Sequence, residues 1–203
     1  MTRAGPESRE LRGIVDKWQC IARVLALCRL AGLRRSDAMS LRWSAVNFED
    51  GVITFTTQKS RKDARVPMCA ELEQILRGAH RDTLRLDDLV VPQPMPGDRA
   101  RGRGLVTLSN VKRDVDSIRA RAGVEKYGDP LHTLRKSCIN DWARRHPPNA
   151  VMQWATHSSI HTTMKYYAQV SPEDEKRARE PLGLTRLTRI ADTNLPAGQT
   201  TSA

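Results

Sequence analysis

Residues 46–68, VNFEDGVITFTTQKSRKDARVPM, decide the fold class. Apolar residues alternate in short segments here, around a Glu-Asp-Gly turn and along a threonine-rich run, the composition of a twisted antiparallel hairpin or a three-stranded sheet. On either side the period lengthens. Ile14, Trp18, Ile21, Leu25 and Cys28 recur at four and three residues, which predicts an amphipathic helix ending near Gly32. Downstream, Leu72, Ile75 and Leu76 mark one helix, and Val111, Val115, Ile118 and Ala122 mark another that opens at Ser109 and stops by Gly123. The chain is therefore expected to be mainly α with a small antiparallel β-sheet, an α+β fold.

Chemistry-bearing residues fall at the joints of this pattern. Ser36 is placed to cap a second short helix with Asp37 in its first turn, leaving Arg34 where the chain changes direction and a side chain can be aimed. Lys59 belongs to the second turn of the sheet, where a lysine can enter a DNA groove and equally fits an ordinary exposed turn. In residues 129–143, DPLHTLRKSCINDWA, Thr133 is the expected cap of a helix whose apolar face is Leu134, Cys138, Ile139 and Trp142, with Arg135 in the first turn. Free N–H groups and a partial positive charge at that helix end suit a phosphate beside His132 and Arg135; an arginine paired with a core carboxylate is the alternative. Asn149 is expected to cap the next helix, through Met152 and Trp154, with His157 after it. Tyr166 and Tyr167 are read on one short helix opened by Thr162 or Thr163, pointing about 100° apart. Only one can face a given point.

Composition narrows the partner. With 34 Lys+Arg against 23 Asp+Glu, the net charge is +11 and the pI near 10.1, so the chain carries a field that attracts polyanions. Charge alone does not separate a nucleic-acid partner from a solvated basic surface. A length of 203 residues with 39% hydrophobic content supports one main domain with a core. MTRAGPESRE at the start does not resemble a signal peptide, and no apolar run approaches the ~18 residues of a membrane span, so a cytoplasmic protein is expected. Cys20, Cys28, Cys69 and Cys138 form no Cys-x-x-Cys pair and read as reduced core residues. His157 and His161, four apart, fit a metal on one helical face, but no glutamate or third ligand stands near them, and no metal site is assigned. Residues 91–104, VPQPMPGDRARGRG, read as a long exposed loop able to touch DNA backbone. SPEDEKRARE, from Ser171, is a strong helix start that should end by Gly183, and beyond Arg189 the tail lacks periodicity and reads as disordered.

Four of these stretches, taken in order, resemble the catalytic domain of the tyrosine recombinases, the phage-integrase and Xer-like family, from about Val15 to Gly183. In LAGLRRSDAMSLRWSAV the family's first arginine, between a Gly-Leu and a Ser/Gly-acidic pair, matches Arg34, with Asp37 in support. In TFTTQKSRKDARVPM the family's hairpin lysine matches Lys59, and DPLHTLRKSCINDWA carries the His-x-x-Arg block at His132 and Arg135. In WATHSSIHTTMKYYAQV a histidine precedes the nucleophilic tyrosine by nine residues, which pairs His157 with Tyr166 and leaves Tyr167 for packing. The chain departs from the family at Thr156, where glycine is usual, and a Cβ there penalises the positive φ that glycine takes freely.

The resemblance implies a recombinase catalytic-domain fold over residues 13–185, between a polar segment, 1–12, and the tail, 186–203, with the N-terminal core-binding clamp domain absent. It implies cleavage and rejoining of double-stranded DNA through a 3′-phosphotyrosyl intermediate, with Arg34, Lys59, His132, Arg135, His157 and Tyr166 as catalytic residues. Neither a metal nor a nucleotide cofactor is implied, and no membrane or small-molecule substrate. A homo-tetramer on two DNA sites is implied as the working assembly, with elements after the tyrosine packing on a neighbouring subunit. Two other outcomes fit the same residues: a weakened integrase remnant that only binds DNA, and a type IB topoisomerase-like enzyme that relaxes supercoils.

Overall fold

The computed structural model describes residues 6–80, 88–92, 110–168 and 176, with side chains from residue 17 onward. The chain divides into two compact units, 1–167 and 168–203. Of the second, only residues 168 and 176 are described, so the helix expected from Ser171, its end at Gly183 and the tail lie outside the described residues. Most of the loop read at 91–104 does too.

Seven helices and three strands are described in the first unit. Helix α1 runs from Pro6 to Leu30, reaching back through the segment read as polar, and α2 spans Arg35–Ser40. A 3₁₀ turn, Trp43–Ala45, leads into β1 (Val46–Asn47), β2 (Val52–Thr56) and β3 (Asp63–Pro67), which form an antiparallel sheet in the order β1-β2-β3. The expected alternation decides its register: Ile53 pairs with Val66, and both are buried on one face. Four α-helical segments follow close behind, α3 (Ala70–His80), α4 (Val111–Arg121), α5 (Pro130–Ala143) and α6 (Pro148–Trp154), before the short α7 (Ile160–Met164).

Helix α1 lies at the centre of the core, against α2, α3, α4 and α5. Cys20, Ile21, Val24, Leu27 and Cys28 are buried along it and Ala31 just past its end, whereas Trp18 is 38% exposed. The buried stripe thus runs to one side of the expected one. Leu72 and Leu76 are buried on α3 and Ile75 faces out, and Cys69 is exposed while the other three cysteines are buried. At the end of α1, Gly32 takes φ +58 and Leu33 N–H reaches back to Leu27 O at 3.1 Å. A Cβ at Gly32 would sit 3.0 Å from the Trp142 ring, so glycine is required there for both conformation and space. Residues 88–92 lie beside the end of α2, with Val90 N–H bonded to Leu41 O at 2.8 Å.

Helix caps differ from the sequence expectation in a consistent way. The N-cap of α2 is Arg34 rather than Ser36, and that of α6 is Pro147 rather than Asn149; in both cases a helix-compatible chain begins as soon as the preceding backbone turns, without a side-chain cap. Asn110 stands at the N-cap of α4, and Ser109 lies outside the described residues. For α5 the cap is Asp129, whose Oδ1 accepts from Leu131 N–H at 3.1 Å and His132 N–H at 3.3 Å, so Thr133 lies inside the helix. Pro130 at the first helical position has no N–H to satisfy, which favours the earlier start. Ser159 caps α7 by accepting from His161 N–H, in place of Thr162 or Thr163. Among the described residues no helix is long and apolar enough to cross a membrane.

Candidate active site

Arg34 stands at the joint between α1 and α2 with extended backbone, φ −70 and ψ 153, and its side chain is half-buried. Its guanidinium donates from Nη1 to the Thr156 hydroxyl and from Nη2 to the Thr156 carbonyl at 3.4 Å. Asp37, one turn on, is 2% exposed and holds two neighbours at once. Its Oδ1 accepts from Gln58 N–H at 2.8 Å, and its Oδ2 lies 3.9 Å from Arg34 Nη1. A buried carboxylate needs such partners, and here they tie α2 to the β2–β3 turn.

That turn carries Lys59. Thr57 is fully buried at its base, exchanging a 2.7 Å hydrogen bond with Ser60 Oγ and accepting from Lys62 N–H at 3.1 Å. Lys59 is exposed at the tip, free to follow a ligand, while the base of the turn is held by Thr57 and Asp37.

On α5, the Asp129 cap moves Arg135 into the second turn, where it is 5% exposed. Its Nη1 donates to Gly32 O and its Nη2 to Ala155 O, so one guanidinium joins the end of α1 to the end of α6. Burial, then the Arg34 charge, pull its pKa down to about 10, which still leaves it a cation at neutral pH. Its partners are main-chain carbonyls, the core carboxylate Asp37 acting only through space. His132 is exposed in the first turn. Though exposed, its ring is partly desolvated by the cleft wall, and that desolvation first, then the charges of Lys136 and Arg135, lower its pKa below the ordinary histidine value, so the imidazole is neutral at pH 7.

His157 precedes α7, so it shares no helical face with His161. Its Nδ1 is 2.9 Å from the buried Thr163 hydroxyl, and burial together with Arg135 and Arg34 lowers its pKa to about 4. In the tautomer in which the Thr163 hydroxyl donates to Nδ1, the ring proton sits on Nε2 and that nitrogen is a donor. Tyr166 and Tyr167 lie in the turn after α7, each N–H reaching back three residues at 3.0 Å. Tyr167 donates its hydroxyl to His146 O at 2.5 Å, whereas the Tyr166 ring stacks on His157 with centroids 6.0 Å apart and planes 21° apart.

Arg34, Lys59, His132, Arg135, His157 and Tyr166 all line one open cleft of about 670 Å³. They come from residues as far apart as 34 and 166, so the fold rather than local sequence assembles the set. Six of the lining side chains are cationic and one, Asp129, is acidic, a lining suited to an anion. Three of those cations, Arg35, Lys136 and Lys165, were not singled out from the sequence. Lys136 could have been, since it follows His132 at the four-residue helical spacing. Thr163 and the carbonyls of Gly32 and Ala155 carry no local signal.

The profile of the phage integrase family matches residues 14–173. The chain belongs to the phage integrase family. Solved structures with the same fold include XerA recombinase, at 19% identity and a TM-score of 0.63 over 89% of this chain and 66% of that one. The Tn1549 transposon integrase in complex with a circular intermediate DNA is similar at 16% identity and a TM-score of 0.63, over 88% of this chain and 64% of that one. The catalytic domain of bacteriophage HP1 integrase is similar at 22% identity and a TM-score of 0.51, over 83% and 93%. This integrase-family chain thus spans two thirds or less of the first two proteins and nearly all of an isolated catalytic domain. No significant match was found among curated proteins. The expected recombinase catalytic-domain fold, mainly helical with a small antiparallel sheet, is the fold observed.

Proposed function

We propose that the chain is the catalytic domain of a site-specific tyrosine recombinase, cutting and rejoining double-stranded DNA through a 3′-phosphotyrosyl intermediate. The observation that carries this reading is the cationic cleft shared by Arg34, Lys59, His132, Arg135, His157 and Tyr166. Tyr166 Oη attacks the phosphorus in line, the P–O5′ bond breaks, and the electron pair leaves on the 5′ oxygen. His132, neutral at pH 7, accepts the phenol proton, without which a protonated phenol is a poor nucleophile. Lys59, on its exposed turn, protonates the departing oxygen.

Arg34, Arg135 and the Nε2–H of His157 bind the non-bridging oxygens as charge develops, each such donor being worth about 3–4 kcal/mol, or a 10²–10³ factor in rate. Attack by a new 5′-hydroxyl on the phosphotyrosine reverses the sequence and restores Tyr166. The DNA partner is supported by relatives of the same fold: XerH recombinase has been solved bound to its difH substrate, and the Tn1549 integrase bound to DNA. By the same family likeness the working assembly is a homo-oligomer, a tetramer on two sites, acting in the cytoplasm.

The test is a nicked suicide duplex that loses its short leaving strand after cleavage, incubated with the chain and resolved on a denaturing gel. Wild type traps a covalent adduct, Tyr166→Phe forms none, and Tyr167→Phe forms it. A wild type that binds the duplex and traps nothing would leave a DNA-binding module in place of the enzyme.

A further inference from the structure

Thr156 stands where a left-handed backbone is required, with φ +51, although a β-branched residue disfavours that conformation. The structure keeps it there and uses the side chain. Its hydroxyl donates to Ala155 O at 2.7 Å and accepts from Arg34 Nη1, while its own carbonyl accepts from Arg34 Nη2 at 3.4 Å. A hydroxyl has one proton and two lone pairs, so donation to Ala155 leaves it an acceptor, the role a guanidinium needs. A glycine at this position would take the same backbone and leave Arg34 only the 3.4 Å carbonyl contact and the Asp37 carboxylate at 3.9 Å.

From this geometry we infer that Thr156 is a positioning residue, its hydroxyl fixing the Arg34 guanidinium toward the cleft. The inference rests on the recombinase reading for its consequence, but its geometry does not. Arg34 is half-buried and its other side-chain neighbour, Asp37 Oδ2, lies at 3.9 Å, too far for a hydrogen bond, so without the Thr156 hydroxyl its long chain keeps several rotamers. The Ala155–Thr156 turn removes that freedom. Because Ala155 O also accepts from Arg135, the two guanidiniums are referenced to a single turn, and their spacing is set by the main chain of residues 155–156.

Three proteins separate this role from ordinary packing: wild type, Thr156→Ser, which keeps the hydroxyl, and Thr156→Gly, which keeps the backbone and relaxes its strain. In the free chain, ¹⁵N-arginine NMR should show slow rotation of the Arg34 guanidinium in wild type and Thr156→Ser, and fast rotation in Thr156→Gly. With the suicide duplex, the rate of adduct formation at saturating DNA should fall about tenfold or more in Thr156→Gly, since small misplacements of a catalytic group cost up to about 10²-fold. Half-saturation should stay unchanged, thermal stability should not fall, and Thr156→Ser should recover most of the rate. Equal Arg34 rotation in all three proteins would overturn the inference whether or not an adduct forms. Equal adduct rates in glycine and wild type would overturn it as well. Absence of an adduct from wild type strikes the recombinase reading alone, and the NMR result still decides the role of Thr156.

Discussion

Arg135 shows what a single residue does in this molecule. Its guanidinium satisfies the Gly32 and Ala155 carbonyls inside the core. Removing it leaves the Gly32 carbonyl unpaired, at roughly 1–3 kcal/mol, and Ala155 O with the Thr156 hydroxyl alone, so Arg135→Ala should lower the melting temperature as well as abolish adduct formation. Arg135→Lys keeps the charge but cannot reach both carbonyls, because an ammonium lacks the planar fork. It should melt lower than wild type and cleave 10²–10³ times more slowly, on the order expected for one misplaced donor. His132 gives a pH signature of the opposite kind. Its lowered pKa keeps it a base at neutral pH, so the cleavage rate should stay level near pH 7 and fall only once pH drops below the ordinary histidine value. In His132→Gln that acid limb should disappear along with most of the rate.

At the scale of elements, the hairpin and α2 act as one piece through Asp37. Asp37→Ala removes the acceptor of Gln58 N–H and the neighbour of Arg34, and should slow adduct formation while costing about 1–3 kcal/mol in stability, read by denaturant unfolding. Lys59 is separable from this. In Lys59→Ala, cleavage of a normal duplex should slow sharply, whereas a duplex with sulfur at the bridging 5′ position, a leaving group that needs no acid, should be cut at close to the wild-type rate. If both substrates slow equally, Lys59 binds DNA and is not the acid.

Elements were also where sequence reading succeeded and failed for identifiable reasons. Period 2 over residues 46–68 marks the sheet because one face of it is buried, at Ile53 and Val66. Long helices were legible from apolar spacing. Their first residues were not, since Ser36, Thr133 and Asn149 are good caps by type, yet the backbone enters each helix one or more residues earlier. Thr156 was legible as a departure from glycine and not as a partner of Arg34, because that contact joins residues 122 apart in sequence. Its cost is local, about 1–3 kcal/mol for a strained backbone, and its return is distant.

For the whole molecule, charge and acid stability carry the predictions. A net charge of +11 and a cleft with six cations imply binding that weakens steeply with salt. Each lysine seated on a phosphate contributes about 0.9 to the slope of log K against log salt, so Lys165→Ala and Lys136→Ala should each flatten it by roughly one. Acid should weaken the fold through His157. With a folded pKa of about 4 against 6.5 unfolded, the unfolded chain binds more protons between those values, so stability is full above pH 6.5 and is lost as pH falls toward 4. His157→Gln should show a shallower decline of melting temperature over that window.

The two arginines of the cleft are held by different kinds of acceptor, and this makes them unequal under mutation. Arg135 leans on the carbonyls of residues 32 and 155, oxygens that every amino acid carries, so drift in side chains there leaves its acceptors in place. Gly32 is immovable for a separate reason, its φ and the Trp142 ring. Arg34 leans on a hydroxyl that one nucleotide change can delete. Robustness is thus written into the backbone for one guanidinium, and left largely to two side chains, Thr156 and Asp37, for the other.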